Sequence, residues 1–126
     1  MSDQTIAERT ISDHFDGHGL ADSIHVVADE LGPGGASHTY RAYVGDVEVA
    51  RVQFQKGPRN EPGSTPGVLD GVLLAIVIDR MRCFDAGDYR CRENSLVRTK
   101  AEEALHWLKH RADERARRSV LGTYQK

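Results

Sequence analysis

The sequence predicts an α+β fold, in which a small N-terminal antiparallel β-sheet is followed by a long C-terminal two-helix hairpin. The first half carries β-branched and alternating segments separated by Gly and Pro, a pattern typical of short strands. The second half carries apolar residues three and four positions apart, a pattern typical of helices with one buried face. We therefore divide the 126-residue chain into a mobile N-terminal arm (1–21), a sheet region (22–66) and a helical-hairpin region (67–126).

The arm is predicted because residues 1–21 hold few apolar side chains. In the sheet region, residues 24–29 have the β-branched character of a strand. Residues 37–44 and 47–55 predict a β-hairpin, with Gly45–Asp46 as the tight turn between its arms. The sheet is therefore expected to have at least three antiparallel strands.

The helices are predicted from their end signals. The pair Thr65–Pro66 lies at the end of a loop rich in Pro and Gly and predicts the start of the first helix. The Thr65 hydroxyl can cap the helix, and the missing backbone N–H of Pro66 is not required in the first turn. This helix is expected to stop at Gly87. The second helix is expected to start near Arg90, and its stretch from Arg92 to Arg118 would be about 40 Å long, which is longer than the first helix.

Composition excludes several classes of function. The net charge is −2, but residues 1–79 hold 5 basic and 12 acidic side chains, whereas residues 80–126 hold 12 basic and 7 acidic ones. This local asymmetry argues against a general duplex-DNA binder. The longest apolar run, residues 72–78, is too short to cross a membrane, and Cys83 and Cys91 are too few to form a zinc site. We expect a soluble intracellular protein without metal or cofactor.

Evidence for an enzyme is weak. The six histidines are scattered, and none lies in a local motif with a nucleophile or carboxylate. Glu102 and His106 are four residues apart on the second helix, but a metal site would need further ligands, so a surface contact is the simpler interpretation. Neither a phosphate-binding loop nor a dinucleotide-binding glycine motif is present. The sequence therefore predicts no catalytic residues and no enzymatic activity.

The second helix ends in Arg111, Arg115 and Arg118, whose helical spacing places them on one side. One interpretation is a solvated helix whose arginines pair with Asp113 and Glu114. Another is a helix that contacts RNA or DNA. A third is a pocket for a small phosphorylated ligand, because the planar guanidinium forms paired hydrogen bonds with phosphate oxygens. The residues alone leave the three open.

The turn between the helices supplies what a nucleotide base would need. Phe84 and Tyr89 offer aromatic surfaces, and Asn94 offers an amide that can read a base edge. Asn94 and Arg115 are separated by 21 residues of helix, which is more than about 20 Å. Both can touch one small ligand only if a second protomer supplies one of them. An antiparallel pairing of second helices would create two equivalent pockets.

Two segments carry a family resemblance. The strands SHTYRAYVGDVEVARVQFQKGP and the helical run LLAIVIDRMRCFDAGDYRCRENSLVRTKAEEALHWLKHRADERARRSVLGT resemble the phage anti-Thoeris sponge family, which shares its hairpin domain with phage anti-CBASS sponges. The resemblance implies a phage- or prophage-encoded protein in the host cytoplasm that binds bacterial immune signals without cleaving them. Those signals are cyclic ADP-ribose isomers, in particular glyco-cyclic ADP-ribose, and in some members cyclic di- or trinucleotides. It also implies homodimers, and in some members hexamers built as trimers of dimers.

The resemblance assigns roles to residues of the hairpin, which becomes the ligand-binding and oligomerisation region. Phe84 is expected to stack on adenine and Asn94 to read a polar group beside it. Arg111 and Arg115 are expected to hold the phosphates from the facing subunit, with Arg118 in the same ligand-binding set.

A second site, for cyclic oligonucleotides, is expected at the segment after the long helix and includes Gly122 and Thr123. The family commonly has Gly-Val-Glu-Gly-Thr in this segment, so Ser119 and Leu121 depart from its pattern. Two rival functions remain: a small nucleic-acid-binding helical protein, and a phosphodiesterase that cleaves the same signals.

Overall fold

The computed structural model describes residues 8–126 and confirms the α+β fold. A four-stranded antiparallel sheet, in the order β1-β2-β3-β4, precedes two α-helices. The sheet and the helices form two separate compact units, divided in the chain between Val68 and Leu69. The strands are β1 (Arg9–Ile11), β2 (Ile24–Ala28), β3 (Thr39–Val44) and β4 (Val47–Gln53), and the helices are α1 (Asp70–Asp85) and α2 (Arg92–Arg117).

The sheet unit has one apolar face because side chains alternate along each strand. Ile11, Val26 and Ala42 lie in register across β1, β2 and β3 and share this face. Ala28, at the end of β2, is fully buried. Tyr40 pairs with Ala28 in the register, and its ring packs edge-on against that of Phe54 with centroids 5.7 Å apart. The predicted hairpin with its turn at Gly45–Asp46 is confirmed.

Part of the predicted N-terminal arm is a strand. Residues 1–7 of the arm lie outside the described residues, but β1 pairs with β2 through Arg9 opposite Ala28 and Ile11 opposite Val26. Arg9 also donates a hydrogen bond of 2.6 Å to the buried hydroxyl of Ser37. A strand of three residues is too short to show alternation, so composition alone did not indicate it.

The first helix begins later than predicted. It starts at Asp70 with Leu69 as its N-cap, whereas Thr65 and Pro66 belong to an extended segment. The backbones of Thr65 and Lys56 exchange two hydrogen bonds of 2.7 and 2.9 Å. These bonds satisfy the N–H and C=O groups of Thr65, whereas the N–H groups in the first turn of a helix have no partner within the helix. Gly67 fits here because a Cβ would lie 2.4 Å from the carbonyl carbon of Phe54.

The two helices pack antiparallel in the hairpin unit. Ile78 of α1 and Ala101 of α2 are buried, and a Cβ on Gly71 would lie 3.1 Å from a methyl group of Leu105. The start of α1 therefore faces the middle of α2. Because α1 has 16 residues and α2 has 26, the C-terminal part of α2 extends past α1, as predicted.

Candidate functional site

The first cluster of predicted site residues lies where the hairpin turns. Phe84 is half-buried in the last turn of α1, and Asn94 lies in the first turn of α2. The thiol of Cys91 caps α2 by accepting a hydrogen bond from the backbone N–H of Asn94 at 3.4 Å. The amide nitrogen of Asn94 donates to the carbonyl of Tyr89 at 3.3 Å. These contacts orient the Asn94 side chain, and its carbonyl oxygen receives no hydrogen bond from residues 8–126.

An arginine that the sequence analysis did not single out joins this cluster. The guanidinium carbon of Arg80 lies 5.1 Å from the ring centroid of Phe84, which is a cation–π geometry. The two residues are four apart on α1, so the spacing itself could have indicated the contact. We name Arg80, Phe84, Tyr89 and Asn94 the tip cluster.

The second cluster lies at the other end of α2 and centres on Arg115. This side chain is buried, with 9% of its surface exposed. Its Nη2 donates to the carbonyl oxygens of Val120 at 3.0 Å and Thr123 at 3.2 Å, and the Thr123 hydroxyl also donates to Val120 at 2.6 Å. Arg115 thereby folds the segment after α2 back onto the helix end. It forms no ion pair with a carboxylate of residues 8–126.

This arrangement is stabilised by a helix-ending motif. The backbone N–H of Ser119 bonds the carbonyl of Ala116 at 2.9 Å, and that of Val120 bonds the carbonyl of Arg115 at 3.0 Å. This is the Schellman pattern, which needs a residue with positive φ after the cap. Ser119 fills that position with φ of 61°. The buried Val120 side chain then anchors the segment.

The three arginines predicted to share one side of α2 have different environments. Arg111 is exposed and has no ion pair within the described part of the chain. Arg118 pairs with Glu114 at 2.9 Å and donates to the backbone oxygen of Lys126 at 2.7 Å. The salt-bridged interpretation therefore holds for Arg118, whereas Arg111 and Arg115 keep charges that no carboxylate among residues 8–126 offsets. We name Arg111, Arg115, Arg118 and Thr123 the arginine cluster.

One protomer does not bring the two clusters together. Asn94 and Arg115 lie 21 residues apart on the same straight element, which is roughly 30 Å. Thr123, predicted together with Gly122 for a second site, lies beside Arg115, since its carbonyl oxygen accepts a hydrogen bond from that side chain. The hydroxyl of Thr123 is also occupied internally, donating to Val120 and accepting from the backbone of Gln125.

The face of α2 between the clusters is open to solvent and carries an aromatic group. Trp107 is 65% exposed, and the rings of His106 and His110 each pack edge-on to it with centroids 5.7 Å away. A shallow groove beside it is lined by Thr99, Glu102, Glu103, His106 and Trp107. This face of α2 therefore presents one large apolar side chain, flanked by two imidazole rings, to solvent.

The described residues were compared with the patterns of a metal site, a disulfide and a membrane-spanning helix. Within residues 8–126, no group of three or more His, Cys, Asp or Glu side chains is placed to hold a metal ion. Cys83 and Cys91 are both exposed, free thiols. Neither described helix is long and apolar enough to span a membrane.

The part of the chain that contains the tip cluster is similar to known proteins. The sequence profile of the Acb2/Tad1 hairpin domain matches residues 46–112, which contain the tip cluster and Arg111 but end before Arg115. Thoeris anti-defense 1 of Bacillus phage SBSphiJ7 is 46% identical over 79 residues, which cover 63% of this chain and 55% of that protein. The chain thus spans little more than half the length of this relative.

Proposed function

This chain belongs to the Acb2/Tad1 hairpin-domain family, and on that premise we propose that it is a phage immune-evasion protein. It binds nucleotide-derived immune signals in the cytoplasm of the infected bacterium and holds them without cleaving them, so that the effector they activate stays silent. Cyclic ADP-ribose isomers are the proposed ligands. The name of the relative, Thoeris anti-defense 1, supports a role against this type of immunity.

The observation that carries the proposal is the state of Arg115. It is buried and positioned by two backbone carbonyls, yet its charge is not offset by any carboxylate of residues 8–126. Both hydrogen bonds use Nη2, and a guanidinium has five N–H donors, so donors on Nε and Nη1 remain for an anion. Because the side chain is already ordered, binding a phosphate group costs little further conformational entropy. Arg111 supplies a second unpaired guanidinium one helical turn away.

The pocket we propose is shared by two protomers of a homodimer. Phe84 and Asn94 of one protomer provide the stacking surface and the amide, while Arg111 and Arg115 of its partner hold the phosphates. For Asn94 to face these arginines across a two-fold axis, two antiparallel α2 helices must cross midway between them, near residues 102–105.

The exposed surface of α2 suits this crossing. Residues three and four apart along one side form a stripe through the required midpoint, and all of them are exposed: Val97, Lys100, Ala104, Trp107 and Arg111. Ala104 lies at the midpoint, where a small side chain allows two helices to approach closely. Trp107 lies about one turn further along α2, and its ring would pack against the partner helix. The stripe leads directly into Arg111, so the dimer contact and the pocket would be continuous.

Sequestration requires affinity and copy number, not chemistry on the ligand. For a signal at micromolar concentration, a dissociation constant of about 1 nM, or roughly −12 kcal/mol, is sufficient when sites outnumber ligand molecules. Base stacking on Phe84 and charge-assisted hydrogen bonds from the arginines are suitable sources of that affinity.

We restrict the ligand proposal to cyclic ADP-ribose isomers. The resemblance places cyclic oligonucleotides at the second site around Gly122 and Thr123, and it associates the cyclic trinucleotides with hexameric members. Thr123 uses its hydroxyl and its carbonyl for contacts within the chain, and Arg118, at the start of this segment, pairs with Glu114. No observation therefore favours the second site.

Binding and cleavage are separated by one experiment. The protein is titrated with glyco-cyclic ADP-ribose in a calorimeter, unbound ligand is removed, and the complex is heated to release what it holds. We expect tight binding and recovery of intact ligand. Recovery of a hydrolysed product would favour the phosphodiesterase, and strong, steeply salt-dependent binding of mixed-sequence RNA would favour a nucleic-acid-binding protein.

The shared pocket is tested by two variants with different expected outcomes. Phe84→Ala should abolish ligand binding and leave the oligomer intact, because it removes the stacking surface only. Trp107→Glu should abolish both, because it places a charge in the helix pairing. Leu20→Glu, which alters a side chain that is 82% exposed in the sheet unit, is the matched control. A Trp107→Glu protein that is monomeric yet binds ligand normally would contradict the shared pocket.

A further inference from the structure

Arg80 occupies an unusual position in the tip cluster. It lies one helical turn before Phe84 on α1, and its guanidinium carbon is 5.1 Å from the centre of the Phe84 ring. The Phe84 ring has two faces, and Arg80 covers one of them. We infer that the base of a ligand would stack on the opposite face of this half-buried ring, since stacked aromatic groups have ring centroids about 4.5–7 Å apart.

The neighbouring arginines show that Arg80 is not part of the ion-pair network of the hairpin. Arg82, on the same turn of α1, pairs with Asp79 at 3.8 Å. Arg98, on the first turns of α2, pairs with both Asp85 and Glu102 at 3.4 Å. Arg80 forms no ion pair with a carboxylate of residues 8–126. Its contact with an aromatic ring leaves its positive charge uncompensated.

This combination recognises a particular chemistry. A guanidinium that packs over an aromatic face keeps its N–H donors at its edge, where they can still bond phosphate oxygens. A nucleotide carries its phosphates one sugar away from its base. If the base stacks on the ring face opposite Arg80, a phosphate of a compact cyclic nucleotide comes within reach of the long, exposed Arg80 side chain. A nucleoside, which lacks the phosphate, gains nothing from this charge.

We propose that Arg80 is a ligand-contacting residue that binds a phosphate of the nucleotide whose base stacks on Phe84. This inference rests on the proposed function and adds a phosphate contact on the tip side of the pocket, opposite the arginine cluster of the partner. The phosphates are then held from both protomers, and Arg80 selects phosphorylated ligands over nucleosides.

The test uses the full chain and three glutamine variants that each remove one positive charge. In calorimetric titrations with glyco-cyclic ADP-ribose, Arg80→Gln should raise the dissociation constant about 10- to 100-fold, the usual loss for a charge-assisted hydrogen bond. Arg82→Gln removes an arginine already paired with Asp79, and Arg90→Gln removes an exposed arginine that does not lie on the Phe84 ring. Both controls should keep the affinity within about threefold, which excludes a general effect of charge.

A second ligand separates phosphate binding from a structural role. Adenosine, titrated by NMR, should bind Arg80→Gln and the unaltered protein equally weakly, because it has no phosphate. Equal losses for adenosine and the cyclic ligand would mean that Arg80 only positions the Phe84 ring, and would overturn the proposal. So would an unchanged affinity of Arg80→Gln for the cyclic ligand. If the unaltered protein binds no cyclic ADP-ribose isomer, the proposed function itself fails. Arg80→Lys, which keeps the charge, should give an intermediate affinity in a folded protein.

Discussion

Two arginines, one in each unit, have partners of different charge. Arg41 lies on β3 of the sheet unit and pairs with Glu8 at 2.7 Å and Asp29 at 3.3 Å. Its hydrogen bond with Glu8 and its interaction with Tyr43 raise the pKa of Arg41 above its ordinary value. Arg115 lies on α2 of the hairpin unit, and within residues 8–126 its side chain bonds only the backbone carbonyls of Val120 and Thr123.

The two arginines differ in whether nearby carboxylates neutralise the guanidinium charge. Two carboxylates surround Arg41, so its positive charge is balanced within the sheet unit and its role is to connect β3 to neighbouring segments. Carbonyl groups orient Arg115 but carry no net charge, so its positive charge remains available to an anion. Of these two arginines, Arg115 is therefore the stronger candidate for a ligand contact, because its partners are neutral. That distinction cannot be made from sequence, because it depends on which groups the fold brings to the guanidinium.

The largest expected effect tests the ligand role of Arg115. Arg115→Ala should weaken binding of glyco-cyclic ADP-ribose by more than about 100-fold in calorimetry, because it removes a preordered charge-assisted contact. Val120→Ala is the control, since it loosens the same C-terminal segment without altering charge. If Val120→Ala loses as much affinity as Arg115→Ala, the arginine acts through the segment and not through the ligand.

The reverse outcome is expected for Arg41. Arg41→Gln should lower the melting temperature by a few degrees, because Glu8 and Asp29 lose their common partner. The affinity for the ligand should remain unchanged when it is measured at a temperature at which both proteins are fully folded. Thermal unfolding followed by circular dichroism, together with the same titration, checks both points. A loss of ligand affinity in Arg41→Gln would erase the distinction between the two arginines.

A smaller effect concerns the segment that Arg115 holds. Ser119 adopts a φ of 61°, which an L-residue with a side chain occupies at a cost. Ser119→Gly should therefore raise the free energy of unfolding by about 1 kcal/mol, measured by denaturant unfolding. Gly122 has φ of 79°, so Gly122→Ala should change stability in the opposite direction. Equal stability of all three proteins would show that this segment unfolds before the rest of the chain.

The smallest effect is a pH dependence in the sheet unit. Arg51 forms two hydrogen bonds with Glu48, at 3.1 and 3.2 Å, and this pair lowers the pKa of Glu48. Because the folded-state pKa lies below the unfolded one, the pair stabilises the sheet above the ordinary pKa of glutamate. That stabilisation is lost as the pH falls through the lowered value.

An NMR titration of the Glu48 carboxyl group measures this shift. In Arg51→Gln the pKa of Glu48 should return towards its ordinary value, and the difference in acid stability should be slight because the Arg51 side chain is 60% exposed and that of Glu48 34%. A Glu48 pKa that does not respond to this substitution would exclude Arg51 as the cause.

The structure bears out the sequence-based predictions where a signal is local. The turn at Gly45–Asp46 and the stop of α1 before Gly87 follow from residue types that few other conformations accommodate. The prediction fails at Thr65–Pro66, because backbone pairing with the residues after β4 outweighs a good helix-start signal. It also misses β1, which is defined only by its pairing with β2.

The same division applies to the candidate site. By itself, the sequence determined the α+β fold class, the antiparallel hairpins and a long α2 with aromatic and amide groups at one end and arginines at the other, since these depend on periodicity and local turn chemistry. Only the tertiary structure decided that Arg115 is buried against the backbone carbonyls of Val120 and Thr123. The Arg118–Glu114 and Arg80–Phe84 contacts have helical spacing, and the structure decided which of the possible side-chain contacts at that spacing form. Such contacts depend on where packing brings distant or flexible groups. Whether an arginine keeps an unpaired charge therefore depends on all the groups that the fold places around it.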